Sequence, residues 1–425
     1  MTSVSPRRLY LDNAATSFPK PSAVLDAMTR YATTLGASAG RGAYAEALDT
    51  GRLITDCRRR LCDLFNGENG NHFIFTLNCT DALNLAIKGL VLHSQSSVLS
   101  PRPSAHAICT HIDHNSILRP LNALADAGLI EQTRVHVDSR SGLVDPDDIR
   151  RAIRPDTAFI AITHASNVTG SVQPIRAIGR IAREHGIPLI VDAAQSAGHL
   201  PIDVQADFID LLAAPGHKGL LGPLGTGFLY IRPGLEQRLA PLREGGTGSV
   251  SEDDRQPEFM PDRFEPGSHN AIGIAGLAAG AGWVIEQTVE KLHAHEMDLV
   301  RTFIDGVSDV DGLPYFGPQG VRDRLGVFSV RLESFTPTDL AAALERDYGI
   351  LTRPGLHCAP LIHAALGTTA EGGTTRFSVG PFLSKQDIKF ATDALADIAA
   401  RRRQAPASPL SRPSTHSSLR RSAQV

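Results

Sequence analysis

Cysteine is scarce in this 425-residue chain, and its five copies, Cys57, Cys62, Cys79, Cys109 and Cys358, form no Cys-x-x-Cys pair. An odd count without paired spacing argues against a disulfide framework and against a zinc ribbon. The start of the chain lacks a charged segment followed by an apolar one, so no secretory leader is expected. Long apolar runs are missing as well. The longest, Ala271 to Ile285, is broken by glycines and is shorter than the roughly 20 residues a membrane span requires. These absences describe a cytoplasmic-type protein with no membrane partner.

Lysine is the other shortage. Only six of the 42 basic residues are lysine: Lys20, Lys88, Lys218, Lys291, Lys385 and Lys389. Acidic charge is absent from residues 401–425, "RRRQAPASPLSRPSTHSSLRRSAQV", which hold six arginines. The other 400 residues therefore carry a net charge of −9. Rich in Pro, Ser and Arg, the tail cannot bury enough apolar surface to order itself and is expected to be disordered. An acidic body argues against nucleic acid as the main partner.

What is present is a core-forming chain, 42% apolar and long enough for two lobes. From about residue 70 to 232, short apolar runs alternate with amphipathic segments. "HFIFT" precedes "DALNLAIKGLV", in which Leu83, Ala86, Ile87, Leu90 and Val91 share one helical face. "TAFIAIT", "IPLIVD", "FIDLLAA" and "GTGFLYIRP" read as strands covered on both faces. Strands alternating with helices predict an α/β domain with a mostly parallel sheet. Beyond about residue 290, "LGVFSVRL", "PTDLAAALERDYG", "TTRFSVG" and "KQDIKFATDALADIAARRR" predict a smaller α+β domain. The expected division is a large domain over 20–285 and a small one from 1–19 and 286–400. The Gly-rich stretch 245–280 is the expected transition.

In open α/β sheets, ligands bind beyond the carboxyl ends of the strands. The residues there are "TLNCTD" (76–81), "THASNVTG" (163–170), "DAAQ" (192–195) and "AAPGHKG" (213–219). Where arginine serves for ordinary surface charge, a lysine in such a loop calls for a reason, and Lys218 is so placed. A lysine can form a Schiff base and an arginine cannot; a phosphate-contacting lysine is the other reading. Asp192 follows an apolar strand directly, where an unpaired carboxylate is costly. A protonated pyridine nitrogen would satisfy it, as in pyridoxal phosphate sites; a capping or ion-paired aspartate would also stand there. Gln195 and Asn167 could hold the phenolic oxygen of such a ring. Thr80 and the helix start near Asp81 would make an anion site, with His217 adding a donor. Cys109, His111 and His114 in "CTHIDH" offer a metal site, but no fourth ligand lies nearby, so no metal is expected.

The chain resembles the class V, fold-type I pyridoxal phosphate enzymes, and among them the cysteine desulfurase/selenocysteine lyase family of group II type. The likeness rests on "YLDNAATSFPKP", "TLNCTDALN", "IDHNSILRP", "HASNVTG", "VDAAQSAG", "GHKGLLGPLGTGFLY", "RFEPGSHN", "RPGLHCAP" and "TTRFSVG", in family order over roughly residues 9–384. It implies that Lys218 is the Schiff-base lysine, Asp192 the pyridinium partner and Gln195 the ligand of the phenolic oxygen. His114 would stack on the ring, and Cys79, Thr80 and His217 would surround the phosphate. Asp113 replaces the family's usual glutamate. Ser268 replaces a threonine that reaches in from the second subunit of a homodimer. Arg376, with Asn167 and Arg353, would bind the substrate carboxylate. Cys358 would attack the sulfur of L-cysteine, leaving a persulfide for an acceptor protein and releasing alanine; His357 or Arg353 could favour its thiolate. The alternatives are selenocysteine lyase, which can dispense with the attacking cysteine, and a class V enzyme acting on another amino acid. "PFLS" (381–384), which departs from the family pattern, favours the latter. A catalytically silent scaffold of the same fold is the reading from another class.

Overall fold

The computed structural model describes residues 8–40, 42–95, 105–250 and 252–404. The tail beyond residue 404 lies outside the described residues. The chain enters through β1 (Leu9–Tyr10), α1 (Ser22–Arg30) and α2 (Ala45–Phe65). It then runs β2 (Phe73–Thr76), α3 (Cys79–Gln95), β3 (Ala105–Thr110), α4 (Asn115–Asp126), β4 (Ile130–Val135), α5 (Pro146–Ala152), β5 (Thr157–Thr163), α6 (Ile175–Glu184), β6 (Leu189–Asp192), β7 (Leu211–Pro215) and β8 (Gly227–Ile231). These seven strands make one sheet in the order β2-β8-β7-β6-β5-β3-β4. Only β8 runs against the rest.

Side-chain alternation explains the unbroken apolar runs. Ile160 and Ile162 of β5 face Ile54 and Leu61 of α2 and Ile178 of α6 in one cluster. Phe159 and Ala161 face the opposite way, into a cluster with Leu83 and Ala86 of α3 and Leu121 of α4. Both faces are buried, so every position of such a strand is apolar.

The Gly-rich stretch differs from the expected transition. Its second half begins a helix, α7 (Ala271–Gln287), most of which is buried. Glycine is needed there for close approach: a Cβ on Gly280 would lie 2.3 Å from the Leu220 carbonyl oxygen. Among the described residues no single helix is long and apolar enough to cross a membrane.

After α8 (Val289–Val307) come β9 (Tyr315–Phe316), β10 (Val327–Val330), α9 (Pro337–Tyr348), β11 (Ile350–Leu351), β12 (Arg353–Gly355), α10 (Pro360–Ala365), β13 (Thr374–Ser378) and α11 (Lys385–Gln404). An antiparallel sheet of order β12-β13-β10-β9 packs with α8, α9 and α11 around Phe303, Phe328, Phe377 and Leu395. The first strand returns here, β1 pairing in parallel with β11. "PFLS" serves this region: Phe382 packs on Trp283 with centroids 5.3 Å apart, and Ser384 caps α11 by accepting from the Asp387 amide at 3.2 Å.

Candidate active site

The turn after β7 carries Lys218, and its backbone is held unusually tightly. The carbonyl of His217 accepts from the Ser17 amide (3.0 Å), Ser17 Oγ (3.0 Å), Thr16 Oγ1 (3.2 Å) and Lys20 Nζ (2.8 Å). Lys20 is itself pushed down to about 8 by burial. The donors all belong to the segment that follows β1. Ala14 of that segment also accepts from Gln195 Nε2 at 3.0 Å.

Around Lys218 opens a cavity walled by residues from five strand ends. They include Asn78, Cys79, Thr80, His114, Ser116, Thr163, Asn167, Asp192, Gln195 and His217. Burial lowers the pKa of Lys218, and the Asp192 carboxylate opposes this in part. Asp192 ends β6, 2% exposed, and accepts from the Ala194 amide at 2.9 Å. Cys79 Sγ donates to it at 3.4 Å, and burial followed by this carboxylate holds the thiol well above its ordinary range.

His114 is the N-cap of α4, and its Nδ1 accepts from the Ser116 amide at 3.1 Å. The proton of the neutral ring therefore sits on Nε2. Burial keeps the ring neutral, down to about 4. Ser116 Oγ lies 2.9 Å from that Nδ1 and 2.7 Å from Thr80 Oγ1, joining the histidine to the start of α3. Asp113 accounts for its own substitution. Fully buried, it accepts from the Thr110 amide (2.6 Å) and the Thr163 amide (2.7 Å), tying β3 to β5.

Arg376 and Arg353 are not among the residues walling this cavity. Arg376, on β13, is 1% exposed; its Nη2 donates to Asp12 at 2.6 Å and its Nη1 to the Asn167 carbonyl at 3.2 Å. Its buried Nε has no partner among the described residues. Arg353 stands opposite it in register on β12 and is exposed.

Cys358 is exposed, in a loop tied back to the cavity. The amide of Asn167 donates to the His357 carbonyl at 2.6 Å, and the Asn115 backbone amide to the Cys358 carbonyl at 2.8 Å. His357 and Cys358 are consecutive left-handed residues, with φ of 50° and 59°. For non-glycine residues this costs about 1–3 kcal/mol each. The ring of His357 is buried against Thr374 and is held neutral, down to about 2, by burial and by Arg376. It therefore brings no positive charge to the thiol.

Ser268 lies elsewhere, exposed at the mouth of a second cavity with Phe75, Leu77 and Arg243. Its loop is anchored by Glu265, buried in an ion pair with Arg58 and bonded to His269 Nε2 at 2.7 Å. Among the described residues no group of three or more metal-ligating side chains comes together. Sequence reasoning missed Ser116, Asn78, Asp12 and Lys20 as parts of the site. "YLDNAATSFPKP" was the available signal for the last two, since a motif with no assigned chemistry still has to touch something.

The residues fit pyridoxal phosphate. Thr163 Oγ1 and His217 Nδ1 face the cavity region buried and without a protein partner among the described residues. At the start of α3, the Cys79 and Thr80 amides are free of the helix's own bonds, as an anion site requires. An amine biased toward its neutral form, a buried carboxylate and a neutral imidazole complete the donor set.

A parallel sheet with a lysine turn at its carboxyl edge, plus a smaller α+β unit, defines a fold-type I enzyme. The chain belongs to the aminotransferase class-V family, whose model matches residues 9–390. It is 36% identical over 396 residues to a "Probable cysteine desulfurase" of Methanothermobacter thermautotrophicus, covering 92% of this chain and 94% of that one. It is 29% identical to the "Cysteine desulfurase" of Haloferax volcanii, covering 91% and 88%. Among solved structures, an apo cysteine desulfurase from Thermococcus onnurineus superposes with a TM-score of 0.85 at 30% identity, covering 93% and 95%. The Escherichia coli cysteine desulfurase CsdA, in an S-sulfonic acid form, gives 0.81 at 26%, covering 92% and 94%.

Proposed function

We propose that the protein is a pyridoxal-phosphate-dependent cysteine desulfurase that converts L-cysteine to L-alanine and keeps the sulfur on Cys358 as a persulfide. The observation that carries this reading is the Cys358 loop: an exposed thiol in a strained turn, pinned to a wall residue of the Lys218 cavity by the 2.6 Å bond from Asn167. Lys218 would hold the cofactor, Asp192 its ring nitrogen, Gln195 and Asn167 its phenolic oxygen, and His114 its face. Cys79, Thr80 and His217 would lie around its phosphate. When bound, the cofactor supplies an electron sink for the α-carbon of an amino acid.

The chain's own groups do the rest. Lys218, its ammonium disfavoured by burial, can take a proton at Nζ and return it. His114, neutral with its proton on Nε2, can pass one across the cavity. Arg376 offers a fork for the substrate carboxylate, with Arg353 as a second cation at the rim. The Cys358 thiolate attacks the sulfur of the substrate; an S–S bond forms as the C–S bond breaks, and the carbon skeleton leaves as alanine after protonation.

Ser268 serves the site if a second copy brings it there, so the working unit in this reading is a homodimer. The two separate apolar clusters support a large domain over 20–285 and a small one from 1–19 and 286–400. The sulfur acceptor would be a protein docking over the exposed Cys358, in the cytoplasm. "PFLS" lends nothing to another amino-acid substrate, since Phe382 and Ser384 are engaged by Trp283 and Asp387.

The test follows alanine and sulfide from L-cysteine under a reducing agent, comparing the wild type with Cys358→Ala. Alanine formation should fall by at least about 100-fold while the bound cofactor's absorbance is retained. Equal rates would overturn the role of Cys358 and make selenocysteine the substrate to try.

A further inference from the structure

The histidine beside the cysteine remains unexplained by that chemistry. It is 5% exposed, whereas the cysteine next to it is exposed. Its Nε2 lies 3.2 Å from Thr374 Oγ1, which itself donates to Ser329 Oγ at 2.8 Å. With its own hydrogen committed to Ser329, Thr374 accepts, so His357 is the neutral tautomer with the proton on Nε2. Among the described residues no carboxylate is recorded in contact with the ring. Arg376, Arg353 and His363 are the titratable groups that bear on it, and all three oppose a positive charge. The ring is thus a neutral donor planted in the floor of the small sheet, between β13 and β10.

The same residue is held a second time through its main chain. Asn167 reaches from the cavity wall to the His357 carbonyl, and the amide at the start of α4 takes the next carbonyl, that of Cys358. Two adjacent left-handed residues do not persist unless the surroundings impose them. The side chain of His357 is what imposes this on the floor side. Resting on the reading of Cys358 as the sulfur-accepting nucleophile, we propose that His357 is a positioning residue for it. It anchors the strained turn to Thr374 so that the Cys358 backbone stays docked on the first amide of α4 and the thiol starts from a fixed place.

This assignment predicts which replacements succeed. Glutamine can place an amide donor where Nε2 stands, whereas asparagine is too short to reach. Thr374→Val removes the acceptor without touching the loop. His357→Asn and Thr374→Val should each lower desulfuration at least 10-fold, with the Michaelis constant for cysteine within twofold and cofactor content unchanged. Both should raise the rate of Cys358 alkylation by iodoacetamide at least threefold, read by mass spectrometry on the holoenzyme. His357→Gln should restore both rates to within about threefold of wild type, and the pH midpoint of alkylation should not move.

Unchanged desulfuration in both His357→Asn and Thr374→Val would overturn the anchor. So would an alkylation midpoint displaced upward by a unit or more in His357→Gln, because an imidazolium would then be activating the thiol. Alkylation needs no turnover, so it reports on the anchor even if Cys358→Ala proves active and the nucleophile reading fails.

Discussion

Lys218 and Cys358 stand at two ends of one proposed reaction on opposite kinds of backbone. The lysine turn is deep, and the carbonyl preceding the lysine receives four donors from a separate stretch of chain. The cysteine turn is exposed, left-handed at two successive residues, and held by three contacts around His357 and Cys358. A group that only exchanges protons within a cavity gains from immobility. A group that must first meet a substrate and then an acceptor protein needs exposure, with just enough tethering to begin from a defined place. The difference is one of local stability, set by how many buried contacts each turn makes.

The largest expected effect breaks the deep half alone. Lys218→Ala should abolish alanine formation and the visible absorbance of bound cofactor, while Cys358 alkylation stays within about twofold of wild type. A large change in alkylation would mean that the two turns are one mechanical unit. Next comes Arg376, which bonds Asp12, in the segment that covers the lysine turn, and the carbonyl of Asn167, whose side chain holds the cysteine turn. Arg376→Lys keeps the charge but loses the planar fork, so kcat/KM for cysteine should fall by about 100-fold, mainly through KM. A loss confined to kcat would place Arg376 in loop positioning, through Asn167, instead of substrate binding.

The smallest effect concerns acid stability and divides the same two regions. Burial holds His114 and His217 near Lys218, His363 near the loop, and His164 at about 4. Their unfolded forms take up protons near 6.5, so the native state binds fewer protons between those values. Stability from this source is complete above pH 6.5 and is lost as pH falls toward 4. Asp113, raised by burial to about 7, works in the opposite sense. Calorimetry should show Tm falling by several degrees from pH 7 to 5. His363→Gln should reduce that fall slightly, and a Tm independent of pH would contradict the burial of these rings.

Much of this was legible in the sequence, for identifiable reasons. Strands buried on both faces declare themselves by unbroken apolar runs, and "TAFIAIT" and "IPLIVD" are β5 and β6. Lys218 and Asp192 stood out because each lies at the carboxyl end of such a run, and both line one cavity. His357 was one of two groups, with Arg353, that could have favoured the Cys358 thiolate; local sequence could not show that its ring is buried against Thr374, 17 residues away, and held neutral. Asp12 and Lys20 could not be placed by local pattern at all. Their partners, Arg376 and the His217 carbonyl, lie 364 and 197 residues away. The Gly-rich stretch 245–280 read as the transition between domains; its second half belongs to α7, where Gly280 admits the Leu220 backbone.

The segment after β1 has a consequence for how the protein comes into being. Asp12 and Ala14 meet Arg376 and Ser378 of β13, while Thr16, Ser17 and Lys20 close over the lysine turn. Both faces of the lysine cavity are therefore stitched by one early segment, yet its partners on β13 lie 364 residues further along the chain. A nascent chain can complete its large sheet and still lack Arg376, the partner of Asp12 and Asn167. The arrangement is complete only once β13 has emerged and the segment after β1 has found it.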